Sequence, residues 1–115
     1  FEATLSRLEK ANFLELYPTH FGVVKDVSDH LSRCRQIVCG STELVLAHLR
    51  NGLSPTAVSE HFSAYARERA ERDGCPPESW DLYELINPCS MCAEGVQLFC
   101  QELLAKERPA PAEQP

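Results

Sequence analysis

Apolar residues recur every three or four positions along most of the chain, which is the spacing that gives an α-helix one buried face. This spacing predicts a first helix over residues 2–16, ended by Pro18 because proline cannot continue a helix. A second helix is predicted over residues 21–39 and a third over residues 42–50, with Gly40 as the break between them. The apolar positions that define these three patterns are Leu5, Leu8, Phe13, Leu16, Val24, Val27, Leu31, Cys34, Val38, Leu44, Val45, Leu46 and Leu49.

Three further helices are predicted in the second half of the chain. Ser54 is a good capping residue and Pro55 suits the first helical position, so a fourth helix is predicted over residues 54–72. A short fifth helix is predicted over residues 78–86 and a last helix over residues 87–106. The residues of these helices that are predicted to face inward are Val58, Phe62, Tyr65, Met91, Val96, Phe99, Leu103 and Leu104.

No stretch alternates apolar and polar residues as a half-buried β-strand does. The expected fold is therefore all-α, a compact bundle of five or six helices stapled by disulfides. Residues 1–107 are expected to form one helical, cysteine-rich domain, and residues 108–115, rich in Pro and Ala, a disordered tail. No membrane span is expected, because no run approaches the roughly 18 apolar residues that one requires.

The chain is acidic, with 17 Asp and Glu residues against 11 Lys and Arg residues and a net charge of −6. The basic residues are scattered, and the sequence contains no basic patch of the kind that a nucleic-acid-binding protein presents. Nucleic acid is therefore not an expected partner. The acidic character instead favours a protein partner with a basic surface.

Six of the 115 residues are cysteines, an even number that is typical of a disulfide framework in a secreted, extracellular or luminal chain. On the last helix, Cys89, Cys92 and Cys100 fall on one side, because three and eleven positions are close to whole helical turns. These thiols are expected to bridge the last helix to the second, each bridge contributing about 2–4 kcal/mol. The candidate disulfide residues, whose pairing the sequence does not fix, are Cys34, Cys39, Cys75, Cys89, Cys92 and Cys100.

Cys89-x-x-Cys92 is also a common half of a zinc site, which needs four Cys or His ligands. The zinc alternative combines this pair with Cys34 and Cys39. His30 is a possible further ligand because it lies one helical turn before Cys34. The other histidines, which have no such partner in the sequence pattern, are His20, His48 and His61.

A third use of Cys-x-x-Cys is a redox-active dithiol, which sits at a helix N-terminus directly after a β-strand. The segment over residues 79–86 predicts a helix instead, which disfavours that use. Gly-x-Ser-x-Gly, the phosphate-binding glycine loop and His-Glu-x-x-His are all absent. The sequence is therefore not expected to encode an enzyme, and no cofactor is expected outside the zinc alternative.

Two aromatic residues, Trp80 and Tyr83, follow the stiff Cys75-Pro76-Pro77 connector. Their setting favours a place in the core beneath the connector. The alternative is that they are contacts for a protein partner, since Trp and Tyr are enriched among the residues that dominate binding interfaces. Both are retained as candidate partner contacts.

Residues 34–58, CRQIVCGSTELVLAHLRNGLSPTAV, resemble the second half of a saposin-type domain, in which a cysteine opens one helix and Pro-x-x-Val opens the next. Ser59 stands where that family has its next cysteine. The resemblance implies binding of a small lipid in a cavity of the bundle, which is a minor alternative.

The leading functional expectation is a secreted or extracellular, disulfide-stabilised helical domain that binds another protein, as a ligand-like factor or a receptor ectodomain fragment. An intracellular adaptor domain stapled by zinc is the second expectation. In both, the cysteines are structural and the partner is a protein whose identity the sequence does not reveal.

Overall fold

The computed structural model describes residues 1–19 and 22–107, and this part of the chain contains five α-helices and no β-strand. The all-α prediction is therefore confirmed. None of these helices has the length and apolar content that crossing a membrane requires. The predicted disordered tail, residues 108–115, lies outside the described residues. The helices are α1 (Glu2–Ala11), α2 (Val27–Arg50), α3 (Pro55–Arg72), α4 (Pro77–Ile86) and α5 (Cys89–Glu107).

The chain divides into two compact units, a first unit over Phe1–Gly40 and a second unit that begins at Ser41. The core of the first unit consists of Leu5 of α1 with Val27 and Leu31 of α2. Arg35 of α2 adds an ion pair, because its guanidinium donates to both carboxylate oxygens of Glu9 at 2.8 and 2.9 Å. Helix α1 is thus fixed to the first half of α2 by both apolar and charged contacts.

Helix α1 ends at Ala11, five residues before its predicted end. Asn12 adopts the left-handed conformation, with φ of 51°, and its N–H donates to the Glu9 carbonyl at 3.2 Å. Asparagine tolerates this conformation and so can end a helix where glycine usually does. The predicted inward position of Phe13 is consequently wrong, and its side chain is 49% exposed.

Helix α2 runs through Gly40 without a break, so the two helices predicted on either side of it are one. A glycine inside a helix costs only about 1 kcal/mol relative to alanine, which the flanking helix can absorb. The predicted start at residue 21 lies outside the described residues. The helix begins instead at Val27, where the Asp26 carboxylate accepts the N–H of Asp29 at 3.0 Å.

The second unit is built on α3, which packs along α5 and also contacts α4. The predicted start of α3 is confirmed: the Ser54 hydroxyl accepts the N–H of Ala57 at 3.2 Å, and Pro55 occupies the first helical position. The helix closes through Gly74, whose φ is 83°. The buried core residues of this unit are Val45, Val58, Phe62, Trp80, Cys89, Ala93 and Cys100.

The face that α5 turns toward the core is the predicted one only in part: Val96 packs against the core cluster as predicted. Met91 and Phe99, predicted to face inward, are 57% and 52% exposed. Their place is taken by smaller side chains at helical spacing, Cys89, Ala93 and Cys100. The core-facing side of α5 thus carries several small residues, which the spacing of large apolar residues does not mark as buried.

Candidate functional site

Four cysteines of the second unit gather at one hydrophobic cluster. Cys89 and Cys100 are 2% and 0% exposed, and Cys92 and Cys75 are half-buried and pack against the same cluster. The prediction that the three thiols of α5 share one side is therefore confirmed. Cys75 is placed by the end of α3, where its N–H donates to the Ala70 carbonyl at 2.8 Å.

Burial changes the chemistry of Cys89. Desolvation, together with the nearby Glu84 carboxylate, raises the pKa of the Cys89 thiol from 9.0 to about 12. Glu84 also accepts the backbone N–H of Cys89 at 3.2 Å. Burial raises the pKa of Cys100 as well. A redox-active cysteine needs the opposite shift, toward a thiolate at neutral pH, so the buried Cys89 is unsuited to that use.

The two cysteines of the first unit both lie on α2. The Cys34 sulfur is 3.7 Å from Nε2 of His30, so the pair expected from their spacing does form. The Cys39 thiol donates to Glu2 at 3.4 Å. Because α2 is continuous, five residues of rise separate Cys34 from Cys39 by about 7.5 Å, which is beyond the reach of a disulfide.

The structure does not assemble the predicted zinc site. Within residues 1–19 and 22–107, no three His, Cys, Asp or Glu side chains lie close enough together to share a metal ion. Cys34 and Cys39 belong to the first unit and Cys89 and Cys92 to the second, and among the described residues neither pair has a third candidate ligand close enough to share a metal ion with it. No disulfide joins any of the six cysteines, all of which are described, so stapling is not seen either.

The two candidate contact aromatics have different surroundings. Trp80 is 9% exposed and belongs to the core cluster, so it is not available as a partner contact. Tyr83 is 41% exposed, and its ring centroid lies 5.5 Å from that of Trp80. Its hydroxyl accepts from the Asn87 amide at 2.7 Å, and partial burial raises the pKa of Tyr83.

The side of α4 that faces away from Trp80 carries a second apolar stripe. Leu82, Leu85 and Ile86 are 58%, 80% and 73% exposed. They are spaced i, i+3 and i+4, which places them together on one helical face, named here the α4 outer face. The spacing of the three residues is visible in the sequence, but it does not show that this side of α4 is exposed. The charged residues of α4 are all acidic, namely Glu78, Asp81 and Glu84.

A surface groove of about 470 Å³ lies between the start of α3 and α5. At its base, the Gln97 amide nitrogen donates to the Ser59 hydroxyl at 3.0 Å and to the Pro55 carbonyl at 3.3 Å. The lining residues include Ser, Thr, Gln and Glu beside Pro55 and Leu98, but most of the surface that they expose to the groove is apolar. The groove is open at the surface, so it does not enclose an acyl chain as a lipid-binding cavity does.

Two histidines that were predicted to lack a partner form a pair across two helices. Nδ1 of His61 on α3 lies 3.2 Å from Nε2 of His48 on α2, and the rings meet edge to face with centroids 4.6 Å apart. They are 13 positions apart in the chain, so helical periodicity gives no signal for the contact. His20 lies outside the described residues.

Comparison of the chain with protein families, with curated proteins and with solved structures found no match. The saposin resemblance therefore depends only on residues 34–58. Within that stretch Pro55 and Val58 do open α3, but Cys34 lies inside α2 and opens no helix.

Proposed function

We propose that this chain is a protein-binding module whose docking surface is the α4 outer face. The observation that carries the proposal is the exposure of Leu82, Leu85 and Ile86 on one side of a ten-residue helix. Burying one such side chain contributes about 1.5–3 kcal/mol, so a partner that covers all three gains a substantial part of a binding free energy. Contiguous exposed apolar residues of this kind mark interaction sites in soluble proteins.

The charges around the face select the partner. Glu78, Asp81 and Glu84 give α4 acidic side chains only, and the whole chain carries a net charge of −6. The matching partner is an amphipathic helix with apolar residues at i, i+3, i+4 and i+7, flanked by Lys or Arg. A second copy of the chain is disfavoured, because it would place two acidic helices against each other.

A designed peptide tests this surface directly. The probe is a fluorescent helical peptide with leucine at the four apolar positions and lysine elsewhere, and its anisotropy is measured against the full chain. We expect binding that weakens about tenfold or more in Leu85→Ser and in Ile86→Ser, because each removes an apolar contact at the centre of the face. Both side chains are exposed, so the substitutions should leave the fold intact, as far-UV circular dichroism will show.

The matched control is Leu98→Ser, which removes an equally apolar side chain, 65% exposed, from α5. It should leave the affinity unchanged, and the same peptide with glutamate in place of lysine should not bind. Equal losses in Leu98→Ser and Leu85→Ser would show non-specific attraction and refute the proposal. A dimer of the chain that Leu85→Ser dissociates would make a second copy the occupant instead.

We also propose that the chain is secreted and that its cysteines form disulfides. The even number of cysteines supports it. On α5, Cys100 lies eight and eleven residues from Cys92 and Cys89, about 12 and 16 Å along the helix, so neither can pair with it. If all four cysteines of the second unit pair among themselves, the pairs are Cys89–Cys92 and Cys75–Cys100.

Peptide mapping of the chain purified under oxidising conditions tests these pairs. We expect to find the disulfides Cys89–Cys92 and Cys75–Cys100. On reduction the intact mass should rise by four hydrogens, two for each disulfide. Six thiols in the oxidised preparation, or a Cys34–Cys39 bridge, would contradict the proposal. The peptide-binding test does not depend on this result, because the α4 outer face contains no cysteine.

The two alternatives to a protein-binding module have less support. The four ligands expected for a zinc-stapled adaptor are not brought together within the described residues. Lipid binding needs an enclosed apolar cavity, whereas the groove beside Gln97 is open at the surface.

A further inference from the structure

The His48–His61 pair has the geometry of two ligands to one metal ion. The two nitrogens that face each other, Nε2 of His48 and Nδ1 of His61, are 3.2 Å apart. With metal–nitrogen bonds of about 2.05 Å, this separation gives an angle at the metal of about 103°, close to tetrahedral. Each metal–nitrogen bond then makes an angle of about 39° with the line between the two nitrogens, so the rings have to rotate to direct both lone pairs at the common point.

The backbone holds the two histidines in place. His48 lies in the last turn of α2, and its carbonyl accepts the N–H of Leu53 at 3.1 Å. The N–H of Gly52, which has φ of 73°, donates to the Leu49 carbonyl at 3.1 Å, completing a Schellman turn at the helix end. Ser54 then caps α3, so four residues join the helices in a fixed geometry. Ligands supported in this way are preorganised for binding.

We propose that His48 and His61 form a binding site for a late first-row divalent ion such as Zn²⁺, Cu²⁺ or Ni²⁺. Imidazole nitrogens suit these ions, whereas Mg²⁺ and Ca²⁺ prefer oxygen ligands. No third His, Cys, Asp or Glu among the described residues joins the pair, so water fills the remaining coordination positions. His61 is exposed, which leaves the metal open to solvent.

Nuclear magnetic resonance of the histidine rings tests the proposal atom by atom. The full chain, labelled with ¹⁵N and kept reduced at about pH 7.5, is titrated with ZnCl₂ while long-range ¹H–¹⁵N correlations are recorded. We expect the Nε2 resonance of His48 and the Nδ1 resonance of His61 to shift together. The other nitrogen of each ring should remain an N–H, because it points away from the ion.

Single substitutions distinguish chelation from binding to one ring. His61→Gln should strongly reduce the zinc-dependent shift at His48, and His48→Gln should do the same at His61, since a lone imidazole binds about tenfold or more weakly than the chelating pair. The matched control His30→Gln removes a histidine that contacts Cys34 and should leave both shifts unchanged. Far-UV circular dichroism checks that the variants fold, and His61→Gln is the safest because His61 is exposed.

Three results would overturn the site. Zinc that shifts neither ring at ten equivalents would show that the pair is only a hydrogen bond. A His48 shift that is undiminished in His61→Gln at the same zinc concentration would show that the ions bind a single imidazole. Shifts confined to His30 would place the metal at the His30–Cys34 pair.

Discussion

Because Cys89 is buried, we expect the stability of the second unit to fall at alkaline pH. The folded chain holds the thiol as the neutral form, with a pKa raised from 9.0 to about 12 by desolvation and by Glu84. Because the folded pKa lies above the unfolded one, this stabilisation is complete below about pH 9 and is lost as pH rises toward 12. The change that isolates this effect is Cys89→Ala, which removes the titrating group.

The size of the effect follows from the shift. Each pH unit above the unfolded pKa removes about 1.4 kcal/mol of stability while the folded thiol stays protonated. Between about pH 7.5 and pH 10.5 the free energy of unfolding should therefore fall by about 1–2 kcal/mol more in the native chain than in Cys89→Ala, the lower figure allowing for solvent screening. Cys100, whose pKa is raised by its own burial, contributes to both chains and cancels in the difference. Tyr83 cancels only in part, because burial raises its pKa in both chains but the Cys89 thiolate adds to that rise in the native chain alone.

Urea unfolding of the reduced chain, followed by tryptophan fluorescence, measures this difference. The chain has one tryptophan, Trp80, and it lies in the same core cluster as Cys89, so the signal reports on the second unit. The control Cys75→Ala keeps Cys89 and Glu84 in place and should lose as much stability at alkaline pH as the native chain. Parallel pH profiles for the native chain and Cys89→Ala would refute the burial argument.

The same fluorescence assay checks three further predictions, two at glycines and one at a helix cap. Gly95 lies inside α5 with open space where a Cβ would go, so Gly95→Ala should stabilise the second unit by about 1 kcal/mol. Gly52→Ala should instead destabilise this unit, because the φ of 73° at Gly52 is strained for alanine. Ser54→Ala removes the hydroxyl that accepts the Ala57 N–H and should cost about 1 kcal/mol, while Ser54→Asp should retain most of the stability.

Helix boundaries were predictable where residue chemistry forces them. Proline lacks an N–H and fixes φ, so Ser54-Pro55 favours the start of a helix and excludes its interior, and Gly74 readily supplies the positive φ that ends one. Gly40 and Asn12 are permissive residues, each compatible with helix and with turn. Whether such a residue continues a helix or ends it depends on tertiary contacts, such as the ion pair of Arg35 with α1. A single sequence does not show these contacts.

The candidate site was predictable only in part for a similar reason. Helical spacing placed the three thiols of α5 on one side, because that relation is internal to one helix. Helix α4 has apolar residues on two sides, and spacing does not say which side faces the core. In the structure the large Trp80 side chain is buried in the core, and Leu85 and Ile86 on the opposite side of α4 are exposed. The His48–His61 contact joins two helices and has no signature within either.

The buried thiols also fix when a disulfide can form. Thiolate is the reacting species, and a shift in pKa from 9.0 to about 12 lowers the thiolate fraction of Cys89 near neutral pH about a thousandfold relative to the unfolded chain. A bridge at Cys89 therefore has to form before the core closes around it.

Timed alkylation of the reduced chain tests this order. With iodoacetamide at about pH 7.5, the half-buried Cys34 and Cys92 should be modified first, and Cys89 and Cys100, which are 2% and 0% exposed, only after urea is added. Mass spectrometry of the digested chain reports each site separately. Equal rates at Cys89 and Cys92 without urea would mean that the core opens readily. An oxidised chain could then acquire the Cys89–Cys92 bridge after folding, and the fold would no longer determine the order of the two events.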